Sequence, residues 1–355
     1  MKWSSKVGAL RRGISLATGL TKAKLHAVTM PRSEPLAQSG RLAEFNGFGD
    51  NPARLRMRAY LPALAAGRPL VVLLHGCGQD SAAFAYDSGW TDCADRLGFP
   101  LILPQQAEAN NAGRCFQWFQ PADTARDAGE AGSIAEMIRA GISRFDSDPG
   151  RIFVVGLSAG GAMAAALLAA YPDLFAAGAS VAGLPVGAAH SGIQAILRMA
   201  SAGRPRTPEA LAAQVRAAAP RGFAGPWPRL SVWQGQADMT VAPENGALLA
   251  SQWCALHHLA TPAVIEQSGG GLIHQVWRDR RQSAVELWSL THLPHAYPVG
   301  SRVAVPGRFM AQAPVDATAE ITRFFGLEHD RGGRNPIPGP SSGAASFGRH
   351  SQGLD

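Results

Sequence analysis

Apolar and polar positions along this chain alternate between two kinds of segment. Short apolar runs recur at 70–74, 100–104 and 151–155, and further strand-like segments at 178–182, 230–233 and 285–290. Runs of that length, bounded by Gly, Pro or charged residues, read as strands buried on both faces. Between them lie stretches with helical spacing at 89–97, 130–145, 161–170 and 316–327. Strands and helices in this alternation predict an α/β architecture with a mostly parallel, doubly wound sheet. Residues 55–60 differ, because arginines alternate with apolar residues there and predict an exposed early antiparallel strand. Residues 186–228 break the rhythm with Gly, Pro and Ala around two predicted helices, and read as an insertion or small cap. Gly269-Gly270-Gly271 reads as a flexible turn, with Val276-Trp277 entering another strand beyond it.

Composition changes this picture little. The chain has 355 residues, 46% hydrophobic and 17% charged, the balance of a globular protein with a large core. No apolar run is long enough to span a bilayer. The formal charge of +7 suggests a nucleic-acid partner until it is divided along the chain. Residues 1–44 carry eight Lys/Arg and two Glu, whereas 45–328 carry 22 Arg against 22 acids. The excess belongs to a basic N-terminal extension, so the body offers no electrostatic basis for binding DNA or RNA. Within the extension, Arg11-Arg12 precede a short, weakly apolar stretch that resembles a degenerate export signal, interrupted by Lys22 and Lys24. The segment is read as a partly disordered extension or surface helix. Residues 329–355 read as a disordered tail, rich from Arg331 onward in Gly, Pro, Ser and Arg. Residues 45–328 form the catalytic domain on this reading.

The chemistry starts at Gly156-Leu157-Ser158-Ala159-Gly160, placed between the run 151–155 and the helix-forming run 161–170. Glycines this close to a serine, between a strand and a helix, match the nucleophile elbow of α/β hydrolases. A serine hydroxyl needs an imidazole to take its proton and a carboxylate to orient that imidazole. In such folds the chain order is Ser, acid, His. Asp238 follows the strand 230–233 in Gln234-Gly235-Gln236-Ala237-Asp238, at the strand's carboxyl end where these sheets place their sites. Three histidines compete as base: His295 and His292 beyond the strand 285–290, and His274 before Val276. Position after the final sheet strand favours His295. The oxyanion of an acyl-transfer intermediate needs N–H donors, here assigned to Ala159 and, in His75-Gly76-Cys77-Gly78-Gln79, to Cys77. His75 is read as a residue that ties this loop.

Four cysteines show no C-x-x-C spacing, and the histidines show no H-E-x-x-H pairing. The glycine run lacks the Lys-Ser/Thr ending of a P-loop, so neither a metal nor another cofactor is expected. A Cys77–Cys115 bridge and two free thiols are both compatible with the sequence.

Taken in order, these segments resemble the esterases of the poly(3-hydroxybutyrate) depolymerase family. The resemblance rests on His75-Gly76-Cys77-Gly78-Gln79, Cys115-Phe116-Gln117-Trp118-Phe119, the elbow, Tyr171-Pro172-Asp173-Leu174-Phe175, Ala182-Gly183-Leu184-Pro185 and Trp233–Asp238. It covers roughly residues 55–325. It implies an α/β-hydrolase fold, a triad of Ser158, Asp238 and His295, and hydrolysis of carboxylic esters through an acyl-enzyme. The named substrate is a polyhydroxyalkanoate. Related members include feruloyl and acetyl-xylan esterases, a second reading, and a non-catalytic binding protein on the same fold is a third. The family implies export, yet no clear signal peptide is visible, so the compartment is open. Trp118, Phe119 and Trp90 are placed in an acyl pocket, with a hydrophobic-core role as the alternative. The partner is an ester, small or polymeric, and the oligomeric state is open.

Overall fold

The structure is a computed structural model that describes residues 41–62, 67–259, 263–279, 282–301 and 306–328. Of the extension read as 1–44, residues 1–40 lie outside the described residues, as does the tail 329–355, whereas Leu42–Glu44 are not a loose extension but part of a strand of the sheet. The first strands are β1 (Leu42–Phe45), β2 (Arg56–Tyr60), β3 (Arg68–Leu74) and β4 (Leu101–Gln105). Then come β5 (Ser147–Leu157), β6 (Ala177–Val181), β7 (Arg229–Gly235), β8 (Val264–Gly269), β9 (Leu272–Arg278) and β10 (Ser283–Leu290). They form one sheet in the order β1-β2-β4-β3-β5-β6-β7-β10-β9-β8. The six strands from β4 to β10 in that order are parallel, with antiparallel pairs at both ends. A short parallel pair, β11 (Tyr297–Val299) and β12 (Met310–Gln312), follows beside it.

Alternate side chains of the parallel strands feed two cores. Leu70, Val72, Leu74 and Val154 point to one face, covered by α4 (Gly129–Phe145), α5 (Ala159–Ala170) and α8 (Glu244–Leu256). Val71, Leu73, Phe153 and Val155 point to the other, covered by α1 (Ser81–Asp87), α2 (Trp90–Leu97) and α9 (Ala317–Phe325). Both faces are dry, which is why these strands read as continuous apolar runs. Every residue of α5 is buried. Its alanines are strong helix formers and small enough for the helix to lie close against the middle of the sheet.

The strand at 56–60 departs from expectation. It is antiparallel, but it lies one strand in from the edge with Met57 and Ala59 fully buried. Arg58 is half-buried and pairs with Asp80 at 2.7 Å, so its charge is matched rather than solvated. Between β6 and β7, the segment 186–228 carries two helices, α6 (Gly192–Ala200) and α7 (Pro208–Ala218). Thr207 and Ser191 cap these helices by accepting the N–H groups of Ala210 and Gln194. The short helix α3 (Pro121–Thr124) precedes α4. The three glycines at 269–271 turn the chain between β8 and β9. Among the described residues, no helix is long and apolar enough to cross a membrane.

Candidate active site

Ser158 lies at the carboxyl end of β5 and opens α5, with φ 57° and ψ −118°. A non-glycine residue in this region is strained, and the surrounding packing must hold it there. Its own N–H donates to the Val181 carbonyl at 2.8 Å. A methyl group at Gly156 would run into the Gly160 carbonyl, and one at Gly160 into the Leu74 carbonyl. Both positions must be glycine for the strand, the turn and the end of β3 to approach this closely.

Asp238 sits just past β7, and His295 lies between β10 and β11. The fold brings both to the serine. His295 Nε2 lies 2.9 Å from Ser158 Oγ, and His295 Nδ1 lies 2.7 Å from Asp238 Oδ2. The other carboxylate oxygen of Asp238 accepts the N–H groups of Thr240 and Val241, each at 2.8 Å. Burial alone would push the Asp238 carboxyl up, but the His295 hydrogen bond and those two amides outweigh it and hold it below the ordinary carboxylate value. An ionised Asp238 accepts from Nδ1–H and leaves Nε2 free to accept a proton from the hydroxyl. His292 is solvent-exposed. His274 donates or accepts elsewhere, 3.0 Å from Glu286 and stacked on Trp288.

The loop after β3 packs on this turn. Within it, Gly76 N–H donates to Gln79 Oε1, Gly78 N–H to the Gly113 carbonyl, and Gln79 N–H to the Gly76 carbonyl. The Cys77 N–H meets no protein acceptor among the described residues, and Ala159, first in α5, has no partner one turn back. The amides of Ala159, next to the serine, and of Cys77, in the loop packed on this turn, are thus both unpaired. Cys77 is disulfide-bonded to Cys115, which settles the pairing and removes any Cys77 thiolate. His75 is fully buried, with Nδ1 on the Gly76 carbonyl at 2.8 Å and Nε2 accepting Gln106 N–H at 3.2 Å. Burial lowers it to about 4, so it is neutral and ties the loop.

One group that periodicity hid is Glu130, fully buried in the first turn of α4. It accepts Gln117 N–H at 2.8 Å and the side-chain amide of Gln106, which also donates to the Cys115 carbonyl. Burial pushes Glu130 up to about 8. The segment 115–118 is therefore fixed by a carboxyl and an amide on one side and a disulfide on the other. An acid in a helical repeat reads as a surface residue, and no sequence signal marks this one as buried.

Trp118, Ala162, Ala166, Pro185, Val186 and His190 are among the walls of a pocket of 280 Å³. Ala162 and Ala166 lie one and two turns along α5 from Ser158. Phe119 stands edge-on to Trp118, ring centres 5.6 Å apart, and supports it from outside the lining. Trp90 does not belong to this pocket. It is fully buried in the opposite core, with its indole N–H on the Tyr297 hydroxyl at 3.0 Å. Linear sequence did not distinguish the two faces of the sheet.

A mostly parallel sheet with a strained serine between strand and helix, reached by His and Asp from two later loops, defines an α/β hydrolase acting on carboxylic esters. The chain belongs to the esterase PHB depolymerase family, whose model matches residues 55–271. It is 34% identical over 325 residues to poly(3-hydroxyalkanoate) depolymerase C of Paucimonas lemoignei, covering 90% of this chain and 78% of that one. It is 32% identical over 231 residues to an acetylxylan esterase of Coprinopsis cinerea, covering 64% and 61%. The solved acetyl xylan esterase from Aspergillus awamori superposes with a TM-score of 0.69 at 25% identity, covering 81% of this chain and 99% of that one.

Proposed function

We propose that Ser158, His295 and Asp238 form the catalytic triad of an esterase that cleaves polyesters or oligoesters of hydroxyalkanoic acids. The observation that carries this is the continuous relay from hydroxyl to imidazole to carboxylate, at 2.9 and 2.7 Å. His295 takes the Ser158 proton as Oγ attacks the ester carbonyl, and Cys77 and Ala159 N–H stabilise the oxyanion. Each such donor contributes about 3–4 kcal/mol in comparable sites. The protonated imidazole then delivers its proton to the leaving alkoxide. Water, activated by the same imidazole, releases the acid from Ser158. The extent of likeness to the Paucimonas depolymerase supports a hydroxyalkanoate substrate, and the pocket walled by Trp118, Ala162, Ala166 and Val186 offers its hydrocarbon parts an apolar side.

A sugar-ester reading is favoured by the acetylxylan and feruloyl esterase relatives at 31–32% identity. A panel of hydroxybutyrate oligomers, acetylated xylan and feruloylated sugars separates the two. Ser158→Ala is expected to abolish turnover of every active ester and labelling by a fluorophosphonate while the protein stays folded. Retained turnover or labelling in that variant overturns the mechanism.

A further inference from the structure

Beyond the pocket described above lies a cationic groove of 880 Å³. Its walls include Arg198 at the end of α6, Arg204 and Arg206 in the loop before α7, and His190, with no Asp or Glu among them. Arg198 and Arg206 are half-buried. Among the described residues, none of these three arginines has a carboxylate within ion-pairing distance or a side-chain hydrogen bond. Burial, followed by the neighbouring Arg198 charge, pushes Arg206 below its ordinary value. By contrast, the half-buried Arg58 and Arg126 are matched by Asp80 and Asp173. Unpaired guanidinium groups gathered in a concavity are a binding surface for an anion.

The groove is continuous with the pocket lined by Trp118, Ala162 and Ala166, sharing Gly187, His190 and Gln214 with it. It is also tied to the loop that carries Asp238. Asn245 donates to the Arg198 carbonyl at 3.0 Å, and Ala242 N–H to the Met199 carbonyl at 2.8 Å. An anion held there is therefore at a fixed place relative to the triad.

We infer that the groove binds the free carboxylate terminus of a hydroxyalkanoate oligomer, with Arg198 and Arg206 as its main donors, so that the chain runs from the groove through the adjoining pocket and an ester farther along it reaches Ser158. The inference rests on the polyester reading. In a chain of hydroxy acids, the terminal carboxylate lies on the alcohol side of whichever ester meets Ser158. Cleavage there joins the acyl carbon to Ser158 Oγ and breaks the bond to the alkoxide oxygen. That oxygen takes the proton from His295, and the freed hydroxy acid leaves from the groove. The protein is thereby selective for acid-terminated ends.

The test compares a hydroxybutyrate trimer with its methyl ester, which differ only in that charge. The wild type is expected to prefer the acid by about tenfold in kcat/KM, mostly through KM, as for a charge-assisted contact made equally in ground and transition states. Arg198→Gln/Arg206→Gln removes the preference, Arg198→Lys/Arg206→Lys retains part of it, and rising salt erodes it. Circular dichroism checks folding; if the Gln pair does not fold, the wild-type salt series and the Lys pair decide. Equal rates for acid and methyl ester in the wild type, or a preference that survives both the Gln pair and high salt, overturn the inference alone. If neither trimer is cleaved while a p-nitrophenyl ester is, the polyester reading falls and the inference with it.

Discussion

Asp238→Asn is the sharpest test of the relay, because the structure dictates which way the new amide must face. Asp238 Oδ1 accepts two backbone N–H groups at 2.8 Å, and only a carbonyl oxygen can replace it there. Turning the amide around would set its NH2 against two donors, leaving each unpaired at a cost of about 1–3 kcal/mol. The amide nitrogen is thus directed at His295 Nδ1, at the place now separated by 2.7 Å from Oδ2. Nδ1 must then accept, its proton moves to Nε2, and Nε2 no longer has a lone pair for the Ser158 hydroxyl 2.9 Å away. In serine hydrolases trapped in that tautomer, kcat falls about 10⁴-fold, which is about 5 kcal/mol of barrier. Hydrolysis of p-nitrophenyl butyrate by the folded variant, with a thermal melt as control, measures it. A variant that melts like the wild type and keeps kcat within tenfold of it refutes the orienting role.

Two further outcomes follow from the supports around the oxyanion-side loop. Glu130 is raised from 4.5 to about 8, so the folded protein binds its proton more tightly than the unfolded chain does. Its contribution is complete below pH 4.5 and is lost as pH rises toward 8, with a slope of up to about 1.4 kcal/mol per pH unit. Urea unfolding at several pH values should show this loss in the wild type and its absence in Glu130→Gln, and identical slopes would contradict the burial argument. Cys77→Ser/Cys115→Ser opens a link spanning 38 residues, and chain entropy assigns such a link roughly 4 kcal/mol. The same unfolding assay reads that loss, with a fall in kcat as the Cys77 amide loosens; unchanged values for both would show that the bridge does not hold the loop.

The parallel core was legible because its strands are covered on both faces and so carry unbroken apolar runs. The serine turn was legible because Gly156 and Gly160 are required by backbone approach, which leaves a fixed spacing in the sequence. Strand β8 was not, since all its side chains are exposed and nothing forces a pattern on them. The short helix α1 also escaped, with one capping aspartate, Asp80, as its only strong sign. Trp90 and Trp118 look alike in sequence, but they lie in the cores on opposite faces of the sheet. The Cys77–Cys115 pairing needed coordinates, because connectivity does not follow from spacing. The arginines of the groove were counted among balanced charges, and only their positions show that no acid among the described residues meets them.

The segment 186–228 leaves β6 and rejoins β7, and those two strands are hydrogen-bonded neighbours in the sheet. Its two ends are therefore clamped at a fixed spacing whatever lies between them. Walls of the pocket come largely from this loop and from 118–125, whereas the proposed reacting groups hang from the ends of β5, β7 and β10. Selection can thus rewrite the loop as a replaceable cassette, altering which ester is admitted, while the bond-breaking apparatus stays as it is. That relatives are named for poly(3-hydroxyalkanoate), for acetylxylan and for feruloyl esters is in keeping with that division of labour.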